Sequence, residues 1–335
     1  MATRFVGPRA GVIAHEGVPA RLPAHGEEDE MTRHVASPDG IVFRPGESFA
    51  VGSLPHRDTH EAVGFALSAT GIPTVPSLPR RSPAEGMIAQ ALVGIEGVSL
   101  VHYGSISVDA DALDLAGDVT TDLTGDAYAG FAAFLESVRG LESPPETVKW
   151  QFVGPLTLAF ALARSGLVTE VAAPLAMQAV RCHVRALQAE VAAVLPRATQ
   201  IVVFDEPLLH DALVPGFRVP ADEVIDFVSG ALAAVEPGNI AGLHSCGETD
   251  WSALLATGAN IISVPVPSAS DDAEMERLAH AAARIRAPSW TRSWLSATAR
   301  PKMPNSEASA ALSDALSTGL KLPRRSGDSP VFKSG

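Results

Sequence analysis

A chain of 335 residues with 46% hydrophobic and 19% charged residues can bury a sizeable core, as one large barrel or two smaller domains. Its net charge of −13, with no Lys/Arg-rich run interleaved with aromatics, argues against a nucleic-acid surface. No stretch approaches the ~18 uninterrupted apolar residues of a membrane span, the N-terminus lacks an apolar signal core, and Cys182 and Cys246 fall in different predicted elements. A reduced, cytoplasmic setting is expected, with neither nucleic acid nor membrane as partner.

Met1 to Ser37 contains Gly, Pro and the acidic run Glu27-Glu28-Asp29-Glu30 without a sustained period. Residues 1–40 are therefore read as a flexible arm, 41–290 as the folded barrel, and 291–335 as an irregular segment that completes the barrel or hangs from it. Ser48 to Leu54 is a short strand ending in the Gly52-Ser53 turn, and Asp58 caps a helix with Ala62, Val63 and Ala66 on its apolar face. Ile72 to Val75 is a second strand. Ser82-Pro83-Ala84-Glu85 is a capping box that opens a helix through Leu92. The acidic stretch Asp109 to Asp126 lacks the Gly and Glu positions of an EF-hand loop and reads as a solvated loop. A helix follows over Ala127 to Leu135.

Val148 to Val153 is a strand stopped by Gly154-Pro155, followed by a helix from Leu156 to Leu167. Pro174 to Leu195, carrying Cys182 and His183, is the longest helical pattern. Gln200 to Phe204 is the clearest strand, an apolar run of the kind buried on both faces of a parallel sheet, and it delivers Asp205-Glu206-Pro207 to its end. Asp222 to Val235 is helical. Ile240 to Leu243 is a strand, Gly247 a turn, and a helix starts near Asp250. Asn260 to Val264 is the next strand, and Asp271 to Ile285 suits a helix. Ala287 to Gly335 shows no apolar strand and one possible helix, Ala308 to Leu320.

The alternation of strand and helix, with polar residues at the strand ends, is that of a parallel α/β protein, and a (β/α)8 TIM-type barrel fits its length and rhythm. In such a barrel the C-terminal strand ends form the active rim, so Gly52-Ser53, Gly154-Pro155, Asp205-Glu206 and His244-Ser245-Cys246 gather there. His244 and Cys246, two apart on an extended chain, point the same way and converge either on a thiolate-accepting metal or as a buried Cys beside a hydrogen-bonded His. His210, just past Asp205-Glu206-Pro207, is a candidate base or third ligand. Arg80 and Arg81 are read either as a clamp for an anionic tail or as a solvated loop.

In their order along the chain, five pieces carry a resemblance. They are Val51-Gly52-Ser53-Leu54-Pro55; Leu78-Pro79-Arg80-Arg81-Ser82 with Glu85-Gly86-Met87; Val148-Lys149 with Gly154-Pro155-Leu156-Thr157; Phe204-Asp205-Glu206-Pro207; and His244-Ser245-Cys246-Gly247. Together they resemble the cobalamin-independent methionine synthase and uroporphyrinogen decarboxylase superfamily, in its short single-barrel methionine-synthase-like form. The resemblance implies methyl transfer to a homocysteine-like thiol activated by zinc, with a folate or a corrinoid protein as methyl donor and no nucleotide cofactor. It implies that Gly52 and Ser53 hold the polar end of the amino acid, that Asp205 takes its ammonium group with Glu206 alongside, and that His244 and Cys246 are the first two zinc ligands. Asp205 and His210 are the catalytic candidates. The chain departs from the family in two places: Val264-Pro265-Val266-Pro267 stands where a Glu ligand is placed, and no Cys follows Cys246. A degenerate, non-catalytic barrel and a metal-free decarboxylase of the uroporphyrinogen type are the alternatives.

Overall fold

The computed structural model describes residues 2–6, 35–36, 42–43, 47–101, 105–115, 117, 119–214, 216–247, 251–265 and 294–298. The chain divides after Ala299, and all described residues lie in the first unit. Its strands are β1 (Ala2–Val6), β2 (Val35–Ala36), β3 (Val42–Phe43), β4 (Ser48–Ala50), β5 (Val98–Leu100), β6 (Ile106–Val108), β7 (Thr147–Val153), β8 (Thr199–Asp205), β9 (Ile240–His244), β10 (Ile261–Pro265) and β11 (Trp294–Thr298). The α-helices are α1 (Thr59–Ser68), α2 (Met87–Leu92), α3 (Ala129–Arg139), α4 (Pro155–Arg164), α5 (Thr169–Val194), α6 (Leu209–Ala212), α7 (Ala221–Leu232) and α8 (Trp251–Ala256).

The fold is mixed α/β around a seven-stranded sheet of order β4-β1-β11-β10-β9-β8-β7. Strands β7 to β11 pair in parallel, and β1 runs antiparallel to both β11 and β4. The two ends of that order, β4 and β7, both bond to residues 72–77. On one side Ile72 N–H donates to Ser48 O and Ser77 N–H to Gly52 O; on the other Val75 N–H donates to Lys149 O and Lys149 N–H to Pro73 O.

Side chains alternate across the sheet. On one face Phe49, Ile72, Ile201, Val203, Ile240 and Ile261 form a closed apolar cluster. On the other, Trp150, Phe152, Val202, Phe204, Leu243 and Ile262 pack under α3, α4, α5 and α7 in the main core. Each such side chain contributes about 1.5–3 kcal/mol by leaving water. Helix α5 supplies its stripe from Leu175, Ala179, Val180, Val184, Leu187 and Val191, at helical spacing.

The elements follow the expected strand–helix order, with five differences. The expected strand Ile72 to Val75 forms only an isolated bridge from Thr74 to Lys149, because this stretch bonds to each neighbour over one or two residues rather than along a ladder. Helix α5 begins five residues before Pro174, which sits inside it and forgoes one backbone bond. The predicted helix after Ser82 is a 3-10 turn, Pro83–Glu85, then a separate α2, because Gly86 between them is extended. A small hairpin, β5 with β6, leads into the acidic stretch. Strands β1 and β11 occupy stretches where no strand is expected; these two are defined by pairing with partners distant in sequence. The expected helices at 271–285 and 308–320 lie outside the described residues, as do Glu248 and Asp250.

Candidate functional site

Parallel register decides which strand-end groups meet. Val153 pairs with Asp205, Asp205 with His244, and His244 with Ser263. Residues paired across a parallel ladder share a face, so Asp205, His244 and Ser263 form one row above Val203 and Ile261 of the inner apolar cluster. Gly242 makes room in the row below; a Cβ there would come 2.9 Å from Val203 Cγ2.

His244 Nδ1 lies 2.9 Å from Ser263 Oγ, and its Nε2 lies 3.2 Å from Cys246 Sγ. Loss of hydration on its inward side, and then the Asp205 carboxylate, push the Cys246 thiol up to about 11, although the residue as a whole is exposed. The thiol therefore keeps its proton at neutral pH and donates to Nε2, which leaves the imidazole hydrogen on Nδ1 facing Ser263. Burial lowers the His244 pKa, with Asp205 pulling the other way and Lys149 adding to the fall. The imidazole is neutral, with its Nε2 lone pair turned to the sulfur.

Asp205 is 4% exposed, and its Oδ1 has no hydrogen-bond partner among the described residues. Burial raises its pKa, opposed by His244 and Lys149. Its neighbour Glu206 turns the other way. Glu206 Oε1 accepts from Leu156 N–H at 2.8 Å, and Oε2 accepts from Thr157 N–H at 2.8 Å and Thr157 Oγ at 2.5 Å. The carboxylate thus caps the N-terminus of α4, where Pro155 is already pre-set for a helix. Gly154 allows this approach, since a Cβ there would fall 2.1 Å from Glu206 Oε1. Burial pushes Glu206 up to about 7 against these bonds.

Lys149, on the same face as Gln151, is 2% exposed. Its Nζ donates to the Val51 carbonyl and, at 2.7 Å, to Gln151 Oε1, and it lies 5.8 Å from the centre of the Phe49 ring. Burial lowers it to about 8, with Asp205 opposing the fall. Gln151 in turn rests on Gly52, whose φ of +115° suits glycine; a Cβ there would come 2.9 Å from Gln151 Oε1. Ser53 is exposed beside this turn and bridges to Ser77.

Of the residues singled out from sequence, Asp205, His244 and Cys246 come together, and Gly52 joins them through Gln151 and Lys149. Glu206 has both oxygens on α4. His210 packs under the turn after Cys246, where a Cβ on Gly247 would come 2.2 Å from its Cγ. Its ring nitrogens face Pro207 O at 3.1 Å and Asp211 Oδ1 at 3.0 Å. Arg81 is tied to Glu85 and Asp126. Lys149 enters the sequence reading only within the piece Val148-Lys149, without a role, and Gln151 and Ser263 are not singled out there. Their signal is a polar residue at alternate positions inside an otherwise apolar strand.

Zinc ligands of the His and Cys type stand about 3.5 Å apart around a tetrahedral ion, so the 3.2 Å between Nε2 and Sγ suits two such donors. A catalytic zinc needs three protein ligands. Among the described residues no group of three His, Cys, Asp or Glu side chains could hold a metal. No step below is routed through zinc.

No protein-family model and no curated protein matches the chain. Among solved structures, a methyltransferase from Methanosarcina mazei aligns over 67% of this chain and 68% of its own, at 14% identity and a TM-score of 0.46. A likeness of that degree carries no argument about activity. No helix among the described residues is long and apolar enough to cross a membrane.

Proposed function

We propose that the chain is a methionine-synthase-like (β/α) barrel enzyme that moves a methyl group onto the sulfur of an amino-acid thiol. Support for a barrel comes from residues 72–77, whose bonds to both β4 and β7 join the two ends of the sheet order. The observation that carries the activity is one row holding a buried carboxylate, Asp205, whose Oδ1 has no partner among the described residues, beside a neutral imidazole, His244, whose Nε2 lone pair faces a sulfur.

The chemistry follows from those two groups. A buried carboxylate lacking a hydrogen bond is costly, and an ammonium group of the substrate relieves that cost. This fixes the amino end, with the Gly52–Ser53 turn at the polar end of the molecule. The substrate thiol then takes the place beside Nε2 that Cys246 offers it in outline. His244 accepts the S–H proton, and the thiolate attacks the methyl carbon as the sulfur–carbon bond forms. The methyl group's bond to the donor breaks with its electron pair left on the donor. With a methylated folate the proton ends on the donor nitrogen; with a methylated corrinoid the pair remains on cobalt and the proton passes to solvent.

The test is methionine formation from L-homocysteine, followed by mass spectrometry with 5-methyltetrahydrofolate and, separately, methylcobalamin. Turnover with one of them, reduced about 100-fold or more in His244→Gln, is expected for loss of a general base. Wild-type protein that makes no methionine with either donor rules the activity out. The Glu and Cys positions missing from the sequence support a second reading, a barrel that binds its ligand without chemistry. Homocysteine binding without turnover would select it.

A further inference from the structure

The chemistry above leaves Gln151 without a role, although it sits on the inner face of the sheet, one row below Asp205. Gln151 pairs with Val203 in register, and Val153, two residues on, pairs with Asp205, so the two polar side chains share a face. Strand spacing and rise put their Cα atoms roughly 8 Å apart, a gap that the amino and carboxylate groups of one small ligand can bridge. A side-chain amide is usually ambiguous, because its oxygen and nitrogen exchange places on a flip. Here the ambiguity is removed. Lys149 Nζ, on a buried side chain with hydrogens alone to offer, lies 2.7 Å from Gln151 Oε1. The same ammonium donates to the Val51 carbonyl and stands 5.8 Å from the centre of the Phe49 ring, so it is held from three sides. A flipped amide would set donor against donor.

The fixed oxygen leaves the Nε2 hydrogens unspent. No acceptor among the described residues takes them, and the side chain is partly open to solvent. The amide rests on the Gly52 turn: a Cβ on Gly52 would come 2.9 Å from Oε1, 3.0 Å from Cδ and 3.2 Å from Nε2. An amide whose oxygen accepts from an ammonium is polarised, and its N–H groups bond an anion more strongly. We propose that Gln151 is a further substrate-binding residue, whose Nε2 donates to the carboxylate of the amino acid at the Gly52–Ser53 turn while Asp205 receives the ammonium group. Lys149 sets the direction of the amide. The substrate class is thereby narrowed to a thiol carrying both groups, and this narrowing rests on the function proposed above.

Calorimetry compares L-homocysteine with 3-aminopropane-1-thiol, the same molecule without its carboxylate, on wild type, Gln151→Met and Gln151→Glu. Wild type is expected to favour homocysteine by about tenfold or more, as for a hydrogen bond to a charged group. Both variants are expected to lose that preference through weaker homocysteine binding. Methionine keeps the length of the side chain and removes its donors. Glutamate keeps an acceptor for Lys149, so it is expected to fold even if methionine leaves the buried ammonium too poorly matched. Three results would overturn the proposal: wild type that binds the two probes alike, a preference that survives in the variants, or an equal loss of both probes. The last is what a side chain that only braces Gly52 would give.

If wild type binds neither probe, the thiol reading fails, and the carboxylate site stands or falls on propionate alone. The Gln151 side-chain amide resonance, assigned by its absence in Gln151→Glu, is followed by NMR in isotope-labelled wild type. It is expected to shift with propionate and to stay in place with propylammonium. An amide that ignores propionate overturns the assignment independently of any thiol.

Discussion

Asp205 and Glu206 are consecutive buried carboxylates with opposite circumstances. Glu206 spends both oxygens on three donors at the start of α4, and the helix end supplies further positive potential. Asp205 has an oxygen with no partner among the described residues, and Lys149 and His244 favour its charge against burial. One residue along the strand changes the face, and the face decides the role. Glu206 belongs to the architecture that fixes β7, β8 and α4, whereas Asp205 is left incomplete on the side where a ligand can complete it.

The largest expected break in this comparison is Glu206→Ala. It leaves two helix-end N–H groups and the Thr157 hydroxyl buried without an acceptor, and the expected cost is about 3–5 kcal/mol in urea unfolding. Asp205→Asn removes no hydrogen bond that Oδ1 makes and is expected to change stability by less than about 1 kcal/mol. Equal costs at the two positions would erase the distinction.

The outer face offers a second buried group with an unpartnered atom, His183 on α5. Its Nδ1 meets Thr121 Oγ at 2.8 Å, while Nε2 has no partner among the described residues, and burial lowers it to about 4 from 6.5. The unfolded chain therefore takes up the proton first. Stability from the neutral ring is fully present above about pH 6.5 and is lost as pH falls toward 4, by up to about 3 kcal/mol. A His183→Leu variant is expected to lose most of that acid slope. An unchanged slope between pH 6.5 and 4 would mean that another group sets it. Unlike Asp205, His183 sheds its charge to remain buried, and nothing in its surroundings calls for a ligand.

A smaller effect is expected at the turn. Gly52→Ala places a side chain at φ +115° against Gln151, with about 1–2 kcal/mol of strain. Because Gln151 is also a partner of Lys149, homocysteine affinity should fall along with stability. Full affinity in a folded Gly52→Ala protein would detach the turn from the site.

Much of this arrangement is legible in the sequence, for physical reasons. The unbroken run Gln200 to Phe204 reads as a buried parallel strand, and two-residue spacing alone puts His244 and Cys246 side by side. The opposite fates of Asp205 and Glu206 are not legible, because they depend on where α4 begins, 50 residues earlier. Lys149 is hidden for a similar reason. Its bond to the Val51 carbonyl joins residues 98 apart, which adjacency along the chain does not report. Strands β1 and β11 are hidden in the same way, since pairing with distant partners rather than periodicity defines them.

The most direct measurement is calorimetric titration of L-homocysteine and 4-mercaptobutyrate into wild type and Asp205→Asn. Wild type is expected to favour the amine-bearing thiol by about tenfold or more, as for a charged hydrogen bond, and Asp205→Asn to bind the two alike. Equal binding by wild type, or a preference that survives in Asp205→Asn, would contradict the claim that Asp205 is the vacant carboxylate awaiting an ammonium group.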